Sequence, residues 1–359
     1  MVRRILIVAA ALFAVSSPLA AQTQDEYMWT SHRPDGDAPL GVTDVRAIDM
    51  GTFEVTYRFS QMNSRGVWFG NDSLPLATTL QLYSDAPLTM THQTHSLIGA
   101  YGVTERLTLT AEASFGVYER DHLTSGGVYY TTSAQALGDI VASGVYEVYR
   151  SGPFVMDMSL GASIPIGKAR TWACTPNSDP VGQCQGDSPP EEPLPYDMRP
   201  GTGTFAIIPG ISGQVQNEHG SLGAQFKGHI NVGSKTLSAA AGAAESSLTY
   251  GNRYEANGWA AYRFNDVISV SGGIRWQIWD NIEGGDAALD PTRDPADDPV
   301  FLSGQRADMP LGINFVIPGT SPLAGQRLYL EAVYALHHDY EGPQMGLDWG
   351  INLGWKAAF

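Results

Sequence analysis

The chain has 359 residues, 40 of them glycine, and its 37 acidic against 21 basic residues give a net charge of −16. Glycine at about one residue in nine, against roughly 7 % on average, argues against a helical protein, and 43 % hydrophobic content excludes disorder. The negative balance excludes a nucleic-acid partner.

Residues 1–21 read MVRRILIVAAALFAVSSPLAA: Arg3 and Arg4, an apolar run from Ile5 to Val15, then small residues up to Ala21. This pattern predicts a secretory signal peptide, cleaved after Ala21, which is too short to remain as a membrane-spanning helix. Residues 22–48 lack alternation and contain HRPDGDAPLGV. They are expected as a periplasmic N-terminal segment and as a candidate plug.

From residue 49 to 359 the dominant signal is period-two alternation, which a strand needs when its two faces meet different surroundings. Twelve segments show it, near 50–61, 90–101, 107–119, 136–149, 154–166, 201–216, 221–233, 252–264, 267–279, 306–317, 327–337 and 345–359. The last is the clearest, with Leu347, Trp349, Ile351, Leu353, Trp355, Ala357 and Phe359 in one phase. Short connections near 102–106, 150–153, 217–220, 265–266 and 318–326 alternate strictly with long ones near 62–89, 120–135, 168–200, 234–251, 280–305 and 338–344. A soluble sandwich has no reason to sort its connections by length. The pattern therefore predicts an all-β, transmembrane, antiparallel up-and-down barrel of about twelve strands, with short periplasmic turns and long extracellular loops. Tyr57, Phe59, Tyr101, Tyr146, Tyr262, Phe264, Trp349 and Phe359 are expected in its interfacial girdles. Trp355 and Phe359 are expected to act as the C-terminal signal for the barrel-assembly machinery.

With the apolar phase facing lipid, the opposite phase defines a polar lumen. Its charged candidates are Glu54, Arg58, Glu112, Asp157, Lys227, His229, Glu255, Arg263, Arg275, Glu331 and Asp348. Hydrocarbon penalises such groups by several kcal/mol, so they must face inward or toward water. Pairing among themselves is the bland role for each. Cys174 and Cys184, in a Pro/Gly/Asp-rich stretch of an exported chain, are expected to form one loop disulfide.

Chemical motifs are sparse. GSKT at 233–236 lacks the upstream glycine of a phosphate cradle. His92 and His95 stand three apart and so face opposite sides of a strand, and His337-His338 beside Asp339 shares that weakness. Asp286, Asp290, Asp294, Asp297 and Asp298 are interrupted by Pro291, Pro295 and Pro299 and do not follow a calcium-loop spacing, which predicts a solvated loop. No catalytic residue, metal or cofactor is called for.

Several segments, among them PLGVTDVRAIDMGTFEVTYRFSQM, TMTHQTHSLIGAYGVTERLTLT, ALGDIVASGVYEVY, LPYDMRPGTGTF and QRLYLEAVYALHHDYEGPQM, resemble the "MetA-pathway of phenol degradation" family of Gram-negative outer-membrane proteins, commonly labelled transporters. The resemblance implies passage of small aromatic or other hydrophobic compounds and carries no catalytic residues. Expected partners are outer-membrane lipid and lipopolysaccharide, the assembly machinery and small-molecule solutes. The expected function is a passive outer-membrane channel. The alternatives are a lipid-modifying enzyme on the barrel wall, for which Ser143, Ser163 and His229 fall on the wrong phase, and a structural or adhesion barrel acting through its loops.

Overall fold

The computed structural model describes residues 27–176, 191–239 and 243–359. The expected signal peptide and Cys184 lie outside these residues.

Eleven strands form a closed antiparallel ring: β1 Phe53–Gly70, β2 Asp85–Gly102, β3 Leu107–Thr124, β4 Ile140–Ser151, β5 Phe154–Ile164, β6 Phe205–Gln216, β7 Gly220–Val232, β8 Arg253–Arg263, β9 Ile268–Trp279, β10 Gly304–Val316 and β11 Arg327–Ala358. Each pairs with its sequence neighbour, and β11 returns to β1 with Glu54 opposite Ala358 and Tyr57 opposite Trp355. Phe53 and Phe359 seal the seam with reciprocal backbone hydrogen bonds of 3.0 and 2.8 Å. A closed ring leaves no unpaired edge.

The count of eleven against about twelve has one origin. β11 runs for 32 residues, which at roughly 3.3 Å per residue would extend to about 100 Å, far beyond a bilayer. It folds back instead. Its first part pairs with β10, from Arg327 opposite Val316 to Tyr340 opposite Gly304, and its second part pairs with β1. Across the fold, Asn352 donates to Glu331 at 2.6 Å and His338 meets the Leu347 carbonyl at 3.1 Å. The expected strands near 327–337 and 345–359 are the two arms of this one element.

Short and long connections alternate as expected up to β10, whereas the expected long connection 338–344 is strand within β11. Gly152 and Pro153 alone join β4 to β5, and the φ of 51° at Gly152 is the left-handed conformation that such tight hairpins need. At the long-loop end, β1, β2 and β3 each reach 18 residues, so parts of the expected loops 62–89 and 120–135 are strand. Tyr129–Leu137 pairs with the outer half of β3, outside the ring.

The two faces carry inverted polarity. Leu97 is 57 % exposed beside Ser96 at 2 %, and Leu109 is 52 % exposed beside Thr108 at 1 %. The same alternation puts Leu160, Leu222, Ile274 and Leu353 outside and Ser159, Ser221, Arg275 and Asn352 inside. A water-soluble barrel would bury the first set, so this outer wall is built for hydrocarbon. Phe53, Tyr101, Tyr146, Phe154, Tyr262, Phe264 and Phe359 are all exposed near the short-turn end, where an aromatic belt is expected.

Candidate functional site

The lumen is filled from the short-turn end by residues 27–48, which carry no regular secondary structure. Backbone groups without a ladder must find partners elsewhere, and here the wall supplies them. The Gln216 amide accepts from the Thr30 N–H at 3.0 Å and donates to its carbonyl at 3.1 Å. Ser221 donates to the Asp35 carbonyl at 2.6 Å, Gln225 to Thr43 at 2.7 Å, and Ser212 and Gln214 to Val45 at 3.0 and 3.3 Å. On the return path the Ala47 and Ile48 N–H groups donate to Asp157 and Thr108 at 3.1 and 2.8 Å. Since Trp29 bonds Gly152 and Gly51 bonds Gly102, both in or beside short turns, the segment enters and leaves by the same mouth.

Its tip, residues 40–44, meets the wall all round. The Leu40 carbonyl accepts from Arg58 of β1 at 3.4 Å. Asp44 accepts from Thr110 of β3 at 3.0 Å, Ser143 of β4 at 3.4 Å and Lys227 of β7 at 2.8 Å. Gly41 lies so close to β9 that a Cβ there would stand 1.9 Å from Arg275 Nη2 and 3.2 Å from Glu331 Oε1 of β11. Asp44 is also the one described non-glycine residue with positive φ, 59°, a conformation that aspartate tolerates better than most residues. Nearer the mouth, Asp37 accepts from Arg46 at 2.9 Å, Tyr329 at 2.7 Å and Lys356 at 2.8 Å. Among the described residues, the apolar cluster that the segment shares with the wall joins Ala38, Val42 and Val45 to Trp259. A cavity of about 110 Å³ remains between segment and wall, lined by Leu40, Asp44, Arg46, Ile98 and Thr110 among others.

The other end is covered by long loops. Arg120 of β3, fully buried, donates to Asp294 at 2.6 and 2.7 Å and to Asp197 at 2.7 Å. Arg170 and Arg199 share Asp286 at 2.6–2.8 Å, and Arg293 bridges Glu192 at 2.5 Å and Asp297 at 2.8 Å. Two apolar clusters pack beneath, one of Ala169, Tyr196, Leu237, Leu248, Ile282 and Leu289, the other of Met90, Tyr118, Ala134, Leu194 and Met198. The loop expected to be solvated is thus only partly so. Asp290 is exposed, whereas Asp286, Asp294 and Asp297 are buried: Arg120, Arg170 and Arg199, from distant parts of the chain, pair with Asp294 and Asp286, and Arg293 of the same loop pairs with Asp297. Burial pushes the Asp286 carboxyl up, but Arg170 and Arg199 outweigh it and hold the group below the usual carboxylate range.

The lumen candidates fall into three groups. Glu54, Asp157 and Lys227 bind the inserted segment, through Arg46 at 2.9 Å, the Ala47 N–H at 3.1 Å and Asp44 at 2.8 Å. Arg58 pairs with Glu112 at 2.6 Å, Arg275 lies 3.9 Å from Glu255, and Glu331 accepts from Asn352 at 2.6 Å. The rest stand apart: His229 is half-buried opposite Arg253, Arg263 pairs with Asp266 of the β8–β9 turn at 2.8 Å, and Asp348 is exposed. Trp355 donates to Gln326 at 2.8 Å, and Phe359 is 74 % exposed. Ser143 and Ser163 are buried on the inner phase, away from lipid. Asp37, Asp44 and Arg46, the segment's residues that ion-pair with the wall, were not among the candidates. Their one signal was a run of charges in a stretch with no apolar face of its own.

A closed antiparallel barrel, apolar outside and polar within, defines a membrane β-barrel. No protein-family model and no curated protein matches the chain. Among solved structures it is similar to an outer-membrane channel from Pseudomonas putida F1, at 12 % identity and a TM-score of 0.56, over 89 % of this chain and 99 % of that one. Looser likenesses include the β domain of the Bordetella autotransporter BrkA, at 12 % identity and TM-score 0.44 over 86 % of this chain and 100 % of that one. The P. putida toluene transporter TodX aligns at 10 % identity and TM-score 0.42 over 87 % and 91 %. These are likenesses of fold.

Proposed function

We propose that the protein is a channel of a Gram-negative outer membrane for passive movement of small solutes, held closed by residues 27–48. The polar lumen inside a lipid-facing wall carries this reading, because a barrel built only to present loops has no need of charged groups such as Lys227 and Arg275 along its interior. The segment bonds mostly to polar wall groups that water can solvate equally well, so it is suited to leave and return. Small aromatic or other hydrophobic compounds are the solute class implied by the resemblance to the phenol-degradation family. In this reading Trp355 and Phe359 address the assembly machinery, and lipid with lipopolysaccharide surrounds the wall.

The test is conductance and solute flux of the refolded mature protein, intact and without residues 27–48, using sugars and phenol-like probes. Low flux through the intact chain and high flux through the deletion are expected. Equal flux through both, with the barrel shown to be folded by its heat-sensitive gel migration, rejects the closure; no flux through either rejects the channel.

A further inference from the structure

We propose that Asp85, His122 and Asp294 form a binding site for a divalent transition-metal ion, Zn²⁺ fitting best, that clips the loop 280–303 onto the barrel rim. Asp85 of β2 and His122 of β3 lie on adjacent strands, where Thr124 faces Asp85 and His122 faces Pro87. The two residues therefore share a face. Asp294 arrives from the loop, at the N-cap of a short 3-10 turn, held there by the Ala296 N–H at 2.8 Å and by Arg120. All three side chains are at least 95 % buried.

His122 is set as a metal ligand is set. Its ring stacks on Tyr130 with centroids 4.6 Å apart and planes 11° apart, and Nε2 meets the Thr132 hydroxyl at 2.9 Å. A hydrogen bond at one ring nitrogen orients the ring and leaves the other to face a metal. That other atom, Nδ1, points at the two carboxylates, 3.3 Å from Asp85 Oδ2 and 3.8 Å from Asp294 Oδ2. Neither Nδ1 nor Asp85 Oδ1 has a hydrogen-bond partner, an expensive arrangement for buried polar atoms unless something else occupies the space between. Tyr130 holds Asp85 through its hydroxyl.

Size and charge agree. Ligand atoms about 2.0–2.1 Å from a tetrahedral zinc lie roughly 3.4 Å from one another, and here they all fall within 4.8 Å. The small cavity lined by Asp85, His122, Tyr130 and Asp294 measures about 10 Å³, room for one ion or water. Asp85, Asp197 and Asp294 face one guanidinium, Arg120, while the neighbouring Arg293 is already shared by Glu192 and Asp297. With His122 neutral, the first four groups sum to two negative charges, which one divalent cation balances. One imidazole with two carboxylates suits zinc; calcium asks for six to eight oxygens.

The test needs the refolded mature chain and the metal alone. After equilibration with ZnCl₂ and desalting, the protein is expected to retain about one zinc per chain, and Co²⁺ in its place to give the visible spectrum of a four-coordinate nitrogen/oxygen site. His122→Ala and Asp85→Asn are expected to weaken binding at least about tenfold, while His219→Ala, in an exposed turn, retains it. Heat-sensitive gel migration checks that each variant has folded. Failure of the wild type to hold zinc overturns the site. Stoichiometric zinc surviving in both folded variants overturns it equally, since the metal then lies elsewhere.

Discussion

The barrel is filled from both ends, by two regions that follow different physics. Residues 27–48 contribute one small apolar cluster, and the rest of their hold combines single hydrogen bonds between wall side chains and backbone with the ion pairs Asp37–Lys356, Asp44–Lys227 and Arg46–Glu54. The long-loop end instead packs one apolar cluster among its loops and a second, with Met90 and Tyr118, against the strands, and buries Arg120 and Arg199 against aspartates from the loops. A hydrogen bond that water can replace contributes about 0.5–1.5 kcal/mol net, whereas stripping one partner from a buried ion pair costs about 3–5 kcal/mol. The first region is thus held by single hydrogen bonds and by ion pairs whose lysines water still reaches, the second by arginines buried out of reach of water. Only the first is suited to be a gate.

The largest expected effect is at the cap. Arg120→Ala leaves the buried Asp294 without its arginine and takes the same partner from the part-exposed Asp197, and is expected to destabilise the cap by about 3–5 kcal/mol. Hydrogen exchange should show loop 280–303 opening while residues 27–48 stay as protected as before; joint deprotection would mean that the two ends are one cooperative unit. Next comes Gly41→Val at the tip of the inserted segment. Its Cβ would fall 1.9 Å from Arg275 Nη2, an overpacking of roughly 1–3 kcal/mol directed wholly at the segment. Conductance should rise and exchange at 27–48 should quicken about tenfold or more, with the cap unchanged.

The wall of this molecule was legible in the sequence because lipid imposes a strict period of two: Leu107, Leu109 and Ala111 against Thr108, Thr110 and Glu112 suffice to orient β3. Beyond the bilayer that pressure vanishes. Both faces of the outer half of β3 meet water or protein, and Arg120, Asp121 and His122 read as loop although they are strand. The cap was opaque for a further reason. Burial of Asp294 depends on Arg120, 174 residues away, and no local pattern announces such a partner. The inserted segment lay between these cases: its lack of periodicity marked it as not belonging to the wall, but its partners, Lys227, Ser212 and Gln225, are recognisable only once the lumen exists.

A third, smaller effect separates charge from backbone at the tip. Asp44→Asn keeps a residue that accepts positive φ but gives up the ion pair with Lys227, and should loosen the segment by about 1 kcal/mol. Asp44→Ala loses the bonds to Thr110 and Ser143 as well and adds backbone strain, so about 1–3 kcal/mol is expected. Equal conductance for the two variants would show that the Lys227 pair carries the contact by itself.

The smallest effect is that of pH, and it belongs to the cap. Burial pushes the Asp286 carboxyl up, but the guanidiniums of Arg170 and Arg199 outweigh it and leave the folded group below its usual value. A depressed carboxylate adds stability that is fully present above the unfolded value of about 3.9 and is lost as pH falls through the folded one. Loop 280–303 should therefore keep its protection from pH 7 down to about 4 and begin to lose it below that. Asp286→Asn removes the titrating group and should flatten this part of the profile while lowering protection at neutral pH, since Arg170 and Arg199 then lose their shared carboxylate. If protection of the loop in the wild type fell between pH 7 and 5, some other group would be carrying the acid response, because a lowered carboxylate cannot titrate there.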